Sequence, residues 1–484
     1  MEYRIKEHPI LNFERREKKV FRFKNQEIEA YDNEPIAVAL YAAGVKTLAH
    51  SHYMHRPRGF FCAIGKCSSC IMRVNGIPNV RTCITPVENG MIVEDQSEAS
   101  EYFSNKKLEA THEKVETDMV VIGAGPAGLT AAIEAIKFGA KVVIIDDNPM
   151  PGGQLIKQTH KFFGSHRNYA GVRGIKIADI LIDEINKLDA KWYLRTTATA
   201  IFDGKKRRYK VVAAQGYEKL VTIETDTIVA ATGAMEKMIR FENNDLPGVY
   251  GAGGIQTLMN VYGVKPGKNV LIVGAGNVGV IIGYQLMQAG VNVKMVVEAA
   301  PRIGAYLVHA VKLRRLGVPI LTSHTVIKAH GTDKVEGATI VKLDEKWKPI
   351  PGTEEYVDVD VIALAVGLSP SSELLLQAGC KAEYIRELGG MIPLHNKNNE
   401  TTKPGIFIAG DVAGIEEAST AMINGRIAAI SALKYLNKLT PEAEARREEA
   451  FKDLEDLRGT EFSKHLLVGK EKVYKKYKEY MEAA

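Results

Sequence analysis

The chain has 484 residues, 45% hydrophobic and 25% charged, with a net charge of +6 spread along its length. That length predicts about three domains with ample apolar material for several cores, and the composition is that of an ordinary globular protein. So dilute a charge, with no Lys/Arg block interleaved with aromatics, argues against nucleic acid as a partner. The chain opens on Met1-Glu2-Tyr3-Arg4-Ile5-Lys6-Glu7, charged and with no apolar stretch behind it, so no signal peptide is expected. No apolar run approaches the roughly 18 residues of a transmembrane helix, and the expected location is cytoplasmic. Of the five cysteines, four fall within 22 residues, which in a cytosolic chain points to a metal centre rather than a disulfide framework.

Val20 to Phe23 and Glu27 to Ala30 read as two short strands of a hairpin around Lys24-Asn25-Gln26. Asp32-Asn33-Glu34-Pro35 then supplies cap and first-turn residues for a helix through Ala42, closed by Gly44. A strand–strand–helix opening of this kind resembles the start of a β-grasp ferredoxin. Cys62, Cys67, Cys70 and the more distant Cys83 have the C-x4-C-x2-C…C spacing of a plant-type [2Fe–2S] site. Three thiolates must converge on one face of a cluster; Gly59 and Gly65 permit the tight fold, and loop N–H groups can then tune the sulfurs. A structural zinc site is the alternative, although zinc motifs usually arrive as paired CxxC units. His50, His52 and His55, just upstream, read as ordinary loop residues, because four cysteines already complete a cluster. Arg58-Gly59-Phe60-Phe61-Cys62 and Arg81-Thr82-Cys83 make residues 15 to 97 similar to the [2Fe–2S] domain of the hydrogen cyanide synthase and sarcosine oxidase alpha-subunit group.

Residues 98 to 114 read as a polar linker. Next, the buried strand Val120 to Ile122 runs into Gly123-Ala124-Gly125-Pro126-Ala127-Gly128 and an Ala-rich helix ending at Gly139. In such a fingerprint Gly123 allows the tight turn, Gly125 lets a diphosphate approach and Gly128 lets helix and strand pack. The diphosphate would rest on the free N–H groups at the helix start. A second strand, Lys141 to Ile145, ends at Asp146, with Asp147 beside it, where a carboxylate can take an adenosine ribose hydroxyl. Pro149-Met150-Pro151-Gly152-Gly153-Gln154 and the strand end Ala231-Thr232-Gly233 are small-residue turns at which the chain can pass close to a cofactor. A second fingerprint, Gly274-Ala275-Gly276-Asn277-Val278-Gly279, follows the strand Asn269 to Val273, and its own second strand ends at Glu298. That acid would accept from a ribose 2′-hydroxyl and repel a 2′-phosphate, which favours NAD(H) over NADP(H); the other reading is a fold relic that binds nothing. Val361 to Val366 and Gly367 echo Ala231-Thr232-Gly233 and read as the return of the chain to the first nucleotide domain. Gly410-Asp411 then places an acid at a strand end, before a helix with a small-residue face.

Together GAGPAG, PGGQ, ATG, GAGNVG and the late GD resemble the two-dinucleotide-binding flavoproteins of the thioredoxin-reductase type, over residues 116 to 436. The resemblance implies an α/β fold: a ferredoxin-like domain (1–105), an FAD-binding domain in two parts (115–240 and 350–440), an NAD-binding-like domain inserted in it (241–349) and a helical tail (441–484). It carries over Gly123, Gly125, Gly128, Asp146, Gln154 and Asp411 as FAD contacts, with Asp411 toward the ribityl chain. The expected contact set also takes in Pro126, Ala127, Asp147, Gly153, Thr232, Gly233 and Gly410, with Gly274, Gly276, Asn277, Val278, Gly279 and Glu298 for the second nucleotide. One departure matters: disulfide reductases of this type need a redox cysteine pair, and here the only other cysteine is Cys380, read as a buried small hydrophobe. The tail reads either as a solvated helix or as a subunit-docking arm.

The two resemblances meet in the alpha subunits of heteromeric sarcosine oxidases and dye-linked proline dehydrogenases. That group implies an electron-transferring oxidoreductase subunit with FAD and a [2Fe–2S] cluster, and a flavoprotein beta subunit that carries the amino-acid site. An FMN at the subunit interface can join the two. Two alternatives stand beside it: a self-contained NADH-dependent flavin and iron–sulfur reductase, and a non-catalytic scaffold whose nucleotide sites hold ATP or unreactive NAD. No Ser–His, Cys–His or paired-carboxylate constellation stands out, so no acid–base catalyst is named.

Overall fold

A computed structural model describes residues 3–96, 109–162 and 166–483. The chain divides into two compact units, each built from two separate stretches: residues 1–107 with 236–367, and residues 108–235 with 368–484.

In the first unit, a five-stranded sheet runs in the order Gln26–Tyr31, Lys18–Phe23, Ile92–Glu94, Ile71–Val74, Ile77–Arg81. The helix Ile36–Ala42 is buried along its whole length. The expected hairpin forms, with Lys24 in the left-handed region at its turn (φ 53°). The expected helix cap does not. Pro35 holds the cap position without a side-chain bond. Glu34 is instead taken up by Arg4 (Nη2 to Oε2 3.0 Å) and by the Tyr31 N–H (3.0 Å).

The same unit holds a five-stranded parallel sheet in the order Val249–Gly251, Val361–Leu364, Asn269–Val273, Asn292–Glu298, Ile320–Thr322. Val361–Leu364 therefore belongs to the inserted domain, and the chain does not return at residue 350 as expected. Its four residues are all buried between two ladders, which suits an uninterrupted apolar run at the centre of a parallel sheet. The two halves of the unit share one buried core. Tyr41 lies edge-on to Tyr250 at 6.1 Å, and Lys46 Nζ donates to Pro266 O at 2.9 Å. Arg56 and Arg58 both reach the carboxylate of Asp245.

The second unit is built on a seven-stranded sheet. Its path is Ala190–Tyr193, Val142–Ile145, Thr111–Ile122, Lys219–Ala230, Tyr209–Gln215, Thr196–Asp203, and Ile406–Ile408 also pairs with Lys219–Ala230. The expected linker through residue 114 is corrected at its end, because Thr111–Lys114 pair in register with Lys219–Thr222. Its residues 98–108 lie outside the described ones. Helix Pro126–Lys137 packs against helix Ala418–Ala432 so closely that a Cβ on Gly425 would stand 2.1 Å from Ala127 O. Helices Pro441–Arg458 and Lys464–Ala483 pack on this unit through buried Ala443, Ala450, Leu454 and Val473. A few buried residues thus fasten the two tail helices to this unit, and most of their remaining residues are exposed or partly exposed. No helix among the described residues is long and apolar enough to cross a membrane.

Candidate functional site

The cysteine loop is shaped by alternating left-handed residues: Ala63, Gly65 and Ser68 all have positive φ (58°, 70° and 61°). This curls the segment so that Cys62, Cys70 and Cys83 are buried and Cys67 partly so. Their thiols meet in a row, with Cys62 bonded to Cys67 and to Cys83, and Cys83 bonded also to Cys70. Hydrogen bonds from Cys67 and Cys83 hold the Cys62 thiol far down, and one from Cys83 lowers Cys70; the donors Cys67 and Cys83 are pushed up in turn. Four adjacent thiols fit a two-iron cluster, in which each iron takes two. Backbone N–H groups of Ile64, Lys66 and Ser69 point at Cys62 and Cys67, the expected tuning donors. His50 pairs with Asp95 (Nδ1 to Oδ2 2.7 Å).

Tyr41, which the sequence did not single out, anchors this loop. Fully buried, its hydroxyl accepts from Phe60 N–H (2.8 Å) and donates to Lys46 O (2.9 Å). On the other side the loop lies on the nucleotide fold: Gly251 N–H donates to Phe61 O at 3.2 Å, and a Cβ on Gly254 would stand 2.0 Å from that same oxygen.

The first fingerprint has the close approaches its glycines predict. At Gly123 (φ 107°) a Cβ would meet Ala231 O at 2.2 Å, and at Gly128 it would meet Gly123 O at 1.8 Å. Gly125 is different: a Cβ there would find only Gly153 Cα at 3.9 Å, so its free side is the one a diphosphate would use. Pro126 is the first helical residue and Ala127 the second, with no side chain capping the turn. Gly152 N–H donates to Ala124 O (2.8 Å), which draws Gly153 and the exposed Gln154 to the loop. Thr232 Oγ1 donates to Ser371 O (2.7 Å), and around Gly233 there is open space. Asp146 is turned inward. It accepts from Ala124 N–H (2.6 Å) and Asn148 N–H (2.8 Å), and burial, with Asp147 beside it, pushes its carboxyl up to about 6.

The second fingerprint repeats this wiring. A Cβ on Gly274 would meet Ala365 O at 2.3 Å, and one on Gly279 would meet Gly274 O at 2.0 Å; Gly276 has nothing within 4 Å. Glu298 accepts from Ala275 N–H (2.7 Å) and Ala300 N–H (2.8 Å), as Asp146 does from Ala124 and Asn148. Asn277 Oδ1 accepts from Tyr306 N–H (2.8 Å), and Val278 is solvent-exposed. Ala365 thus stands to this fold as Ala231 stands to the first, the echo expected from sequence but within the inserted sheet.

The Gly410–Ala413 turn packs on the first fingerprint helix, where a Cβ on Gly410 would be 3.0 Å from that of Ala127. Asp411 is partly buried, and desolvation pushes it up to about 6. Beneath the turn lies a group that sequence reasoning missed: buried Glu416 with Arg458 and Lys470. Cys380 is buried and alone, its Sγ 3.4 Å from Thr401 Oγ1, so no cysteine pair is available for disulfide exchange.

A family model described as pyridine nucleotide-disulphide oxidoreductase matches residues 117–425, and one described as a 2Fe-2S iron-sulfur cluster binding domain matches residues 18–98. The chain is similar to an opine oxidase subunit of Agrobacterium tumefaciens (strain Ach5), 30% identical over 341 residues and 67% of each chain. It is 27% identical over 428 residues to the sarcosine oxidase alpha subunit of Corynebacterium sp. (strain U-96), which covers 83% of this chain but 42% of that relative; the chain spans less than half of that relative's length. Among solved structures it is similar to L-proline dehydrogenase from P. horikoshii, with TM-score 0.70 and 26% identity over 92% of this chain and 79% of that one. Thioredoxin reductase from T. acidophilum, at 20% identity and TM-score 0.55 over 67% of this chain and 99% of that one, shares the fold. The chain therefore belongs to the pyridine nucleotide-disulphide oxidoreductase family, as an oxidoreductase that carries a 2Fe-2S domain ahead of that body and is similar to L-proline dehydrogenase and the sarcosine oxidase alpha subunit.

Proposed function

We propose that this chain is the electron-transfer (alpha) subunit of a heteromeric flavin-dependent amino-acid or amine dehydrogenase, whose amino-acid site lies on a separate flavoprotein beta subunit. The observation that carries this reading is the pairing of a four-thiol loop with nucleotide folds that have no redox cysteine pair. A disulfide reductase body without its disulfide has electrons to pass elsewhere. The opine oxidase and sarcosine oxidase relatives are both named as subunits, which supports a multi-subunit enzyme.

In this reading Gly123, Gly125 and Gly128 seat an FAD diphosphate on the helix Pro126–Lys137, and Asp411 faces the ribityl chain. Cys62, Cys67, Cys70 and Cys83 hold the cluster. A bound flavin takes electrons in pairs and a [2Fe–2S] cluster takes them singly, so together they convert one regime into the other. Plant-type clusters lie near about −400 mV, uphill for electrons from an amine, so N–H donors such as those of Ile64, Lys66 and Ser69 are what would raise the potential in this direction.

A second reading, a self-contained NADH-dependent reductase, is favoured by the complete wiring of the second fingerprint around Gly274, Gly279 and Glu298. In the scaffold reading the same residues would hold ATP or unreactive NAD. An anaerobic absorption spectrum of the purified chain, before and after NADH, separates the three. Flavin and cluster bands that stay unchanged with NADH, but bleach with an amino acid and its beta subunit, are expected. Bleaching by NADH alone replaces the proposal with the second reading, and absence of both bands leaves the scaffold.

A further inference from the structure

The Gly410–Ala413 turn is held from below by the tail. Lys470, buried on helix Lys464–Ala483, donates from Nζ to Ala413 O at 2.8 Å and lies 3.3 Å from Glu416 Oε1. Arg458, also buried, grips Glu416 through Nε (2.9 Å) and Nη2 (2.5 Å). The Glu416 N–H donates to the Asp411 carboxylate, and Lys470 lies within electrostatic reach of that acid too. His395 and Tyr474 also face this core. His395 is fully buried and donates from Nδ1 to Pro393 O (2.8 Å), while its Nε2 meets no partner; burial and Lys470 keep it neutral. Tyr474 lies edge-on to that ring at 5.8 Å and bonds Arg458.

The charges balance as two acids from the body, Asp411 and Glu416, against two cations from the tail. The acids lie inside the stretch that the family model matches, residues 117–425, and both cations lie outside it. An isolated charge pair of one sign, taken out of water, is costly unless it is neutralised. Without the tail, the acid pair would stand uncompensated beneath the turn that packs on the first fingerprint, where an anionic diphosphate must also sit.

We propose that the terminal helix Lys464–Ala483 is a latch on the flavin cradle: Lys470, together with Arg458, neutralises the Asp411–Glu416 pair and pins the Gly410–Ala413 turn, so that flavin binding and helix docking stabilise each other. Lys470 is a positioning residue, and the inference rests on the flavin reading above. Coupling of this kind is reciprocal. FAD must slow amide exchange in 464–483 of the deflavinated full chain, and loss of Lys470 must weaken FAD.

The first arm measures FAD affinity and amide exchange of the wild-type chain with and without FAD. The second measures FAD affinity of Lys470→Met and of the double variant Lys470→Met with Glu416→Gln, in which the charge balance returns. The expected results are slower exchange in 464–483 with FAD, a Kd raised by about 5- to 150-fold in Lys470→Met, and partial recovery in the double variant. Unchanged exchange in 464–483 overturns the latch, as does a Lys470→Met defect that Glu416→Gln deepens, because lost packing would behave that way. Should Lys470→Met fail to fold, the wild-type exchange decides alone. A wild-type chain that takes up no FAD sinks the flavin reading itself, in the first arm, before any variant is made.

Discussion

Replacing Tyr41 by Phe keeps the ring and removes one oxygen, and the cluster loop should respond. The hydroxyl serves two backbone groups, accepting from the buried Phe60 N–H at 2.8 Å and donating to the part-buried Lys46 O at 2.9 Å. Orphaning a buried N–H costs about 1–3 kcal/mol and losing a neutral hydrogen bond about 1 kcal/mol, so the variant should lose about 2–4 kcal/mol of loop stability. Phe60 is two residues before Cys62, and that energy falls on the entrance to the cluster loop. If the cluster is lost through opening of this loop, its bleaching in excess chelator should accelerate on the order of 30- to 700-fold, at about 1.4 kcal/mol per decade. Flavin content should stay at the wild-type level, since the first fingerprint belongs to the other unit. Bleaching within threefold of wild type would refute the idea that Tyr41 holds the loop closed.

Gly254→Ala sets a methyl group 2.0 Å from Phe61 O and should lower iron content per chain without changing FAD content; equal iron in both proteins counts against docking of the loop on the nucleotide fold. Gly128→Ala and Gly279→Ala make the same clash in different folds, 1.8 Å from Gly123 O and 2.0 Å from Gly274 O. The first should purify without flavin and the second with flavin but without any response to nucleotide, as read by absorbance and calorimetry. Asp245 is held down to about 2 by hydrogen bonds from Arg56 and then Arg58, against an ordinary value of 3.8. A depressed acid stabilises the fold above its ordinary value, so denaturant midpoints followed at the cluster should fall as pH drops from about 4 to 2, and Asp245→Asn should flatten that window. Asp146 has the opposite sign: raised to about 6, it is better tolerated protonated, so it makes the flavin-free chain less stable as pH rises from about 4 to 6. Asp146→Asn should reduce that slope in urea titrations; an identical slope would show that the acid is not desolvated.

The parts legible in the sequence are those whose chemistry is local. The cysteine spacing and the two glycine fingerprints each fit within a few turns of chain, and their close approaches are the ones observed at Gly123, Gly128, Gly274 and Gly279. What escaped was settled at long range. Val361-Ile362-Ala363-Leu364 declares itself a buried strand but has nothing to say which sheet it joins. Thr111-His112-Glu113-Lys114 looks like linker because it is polar, yet ladder bonds are made by the backbone. Glu34 caps nothing because Arg4, 30 residues away, takes it. The tail looks solvated because Arg458 and Lys470 resemble its many other cations; only the fold shows which of them meets Glu416.

The paired carboxylates at the two strand ends have a consequence for engineering. Asp146 and Glu298 each fasten the middle N–H of their own glycine loop. Swapping the acid at such a position for a neutral or basic residue is a natural way to change nucleotide preference. Here exchange for a residue with no acceptor oxygen would unbutton the loop at the same stroke, and a lost affinity for NADH would say little about the ribose. A preference switch in either half would need a new acceptor for the Ala124 or Ala275 amide before the specificity of the pocket could be altered at all.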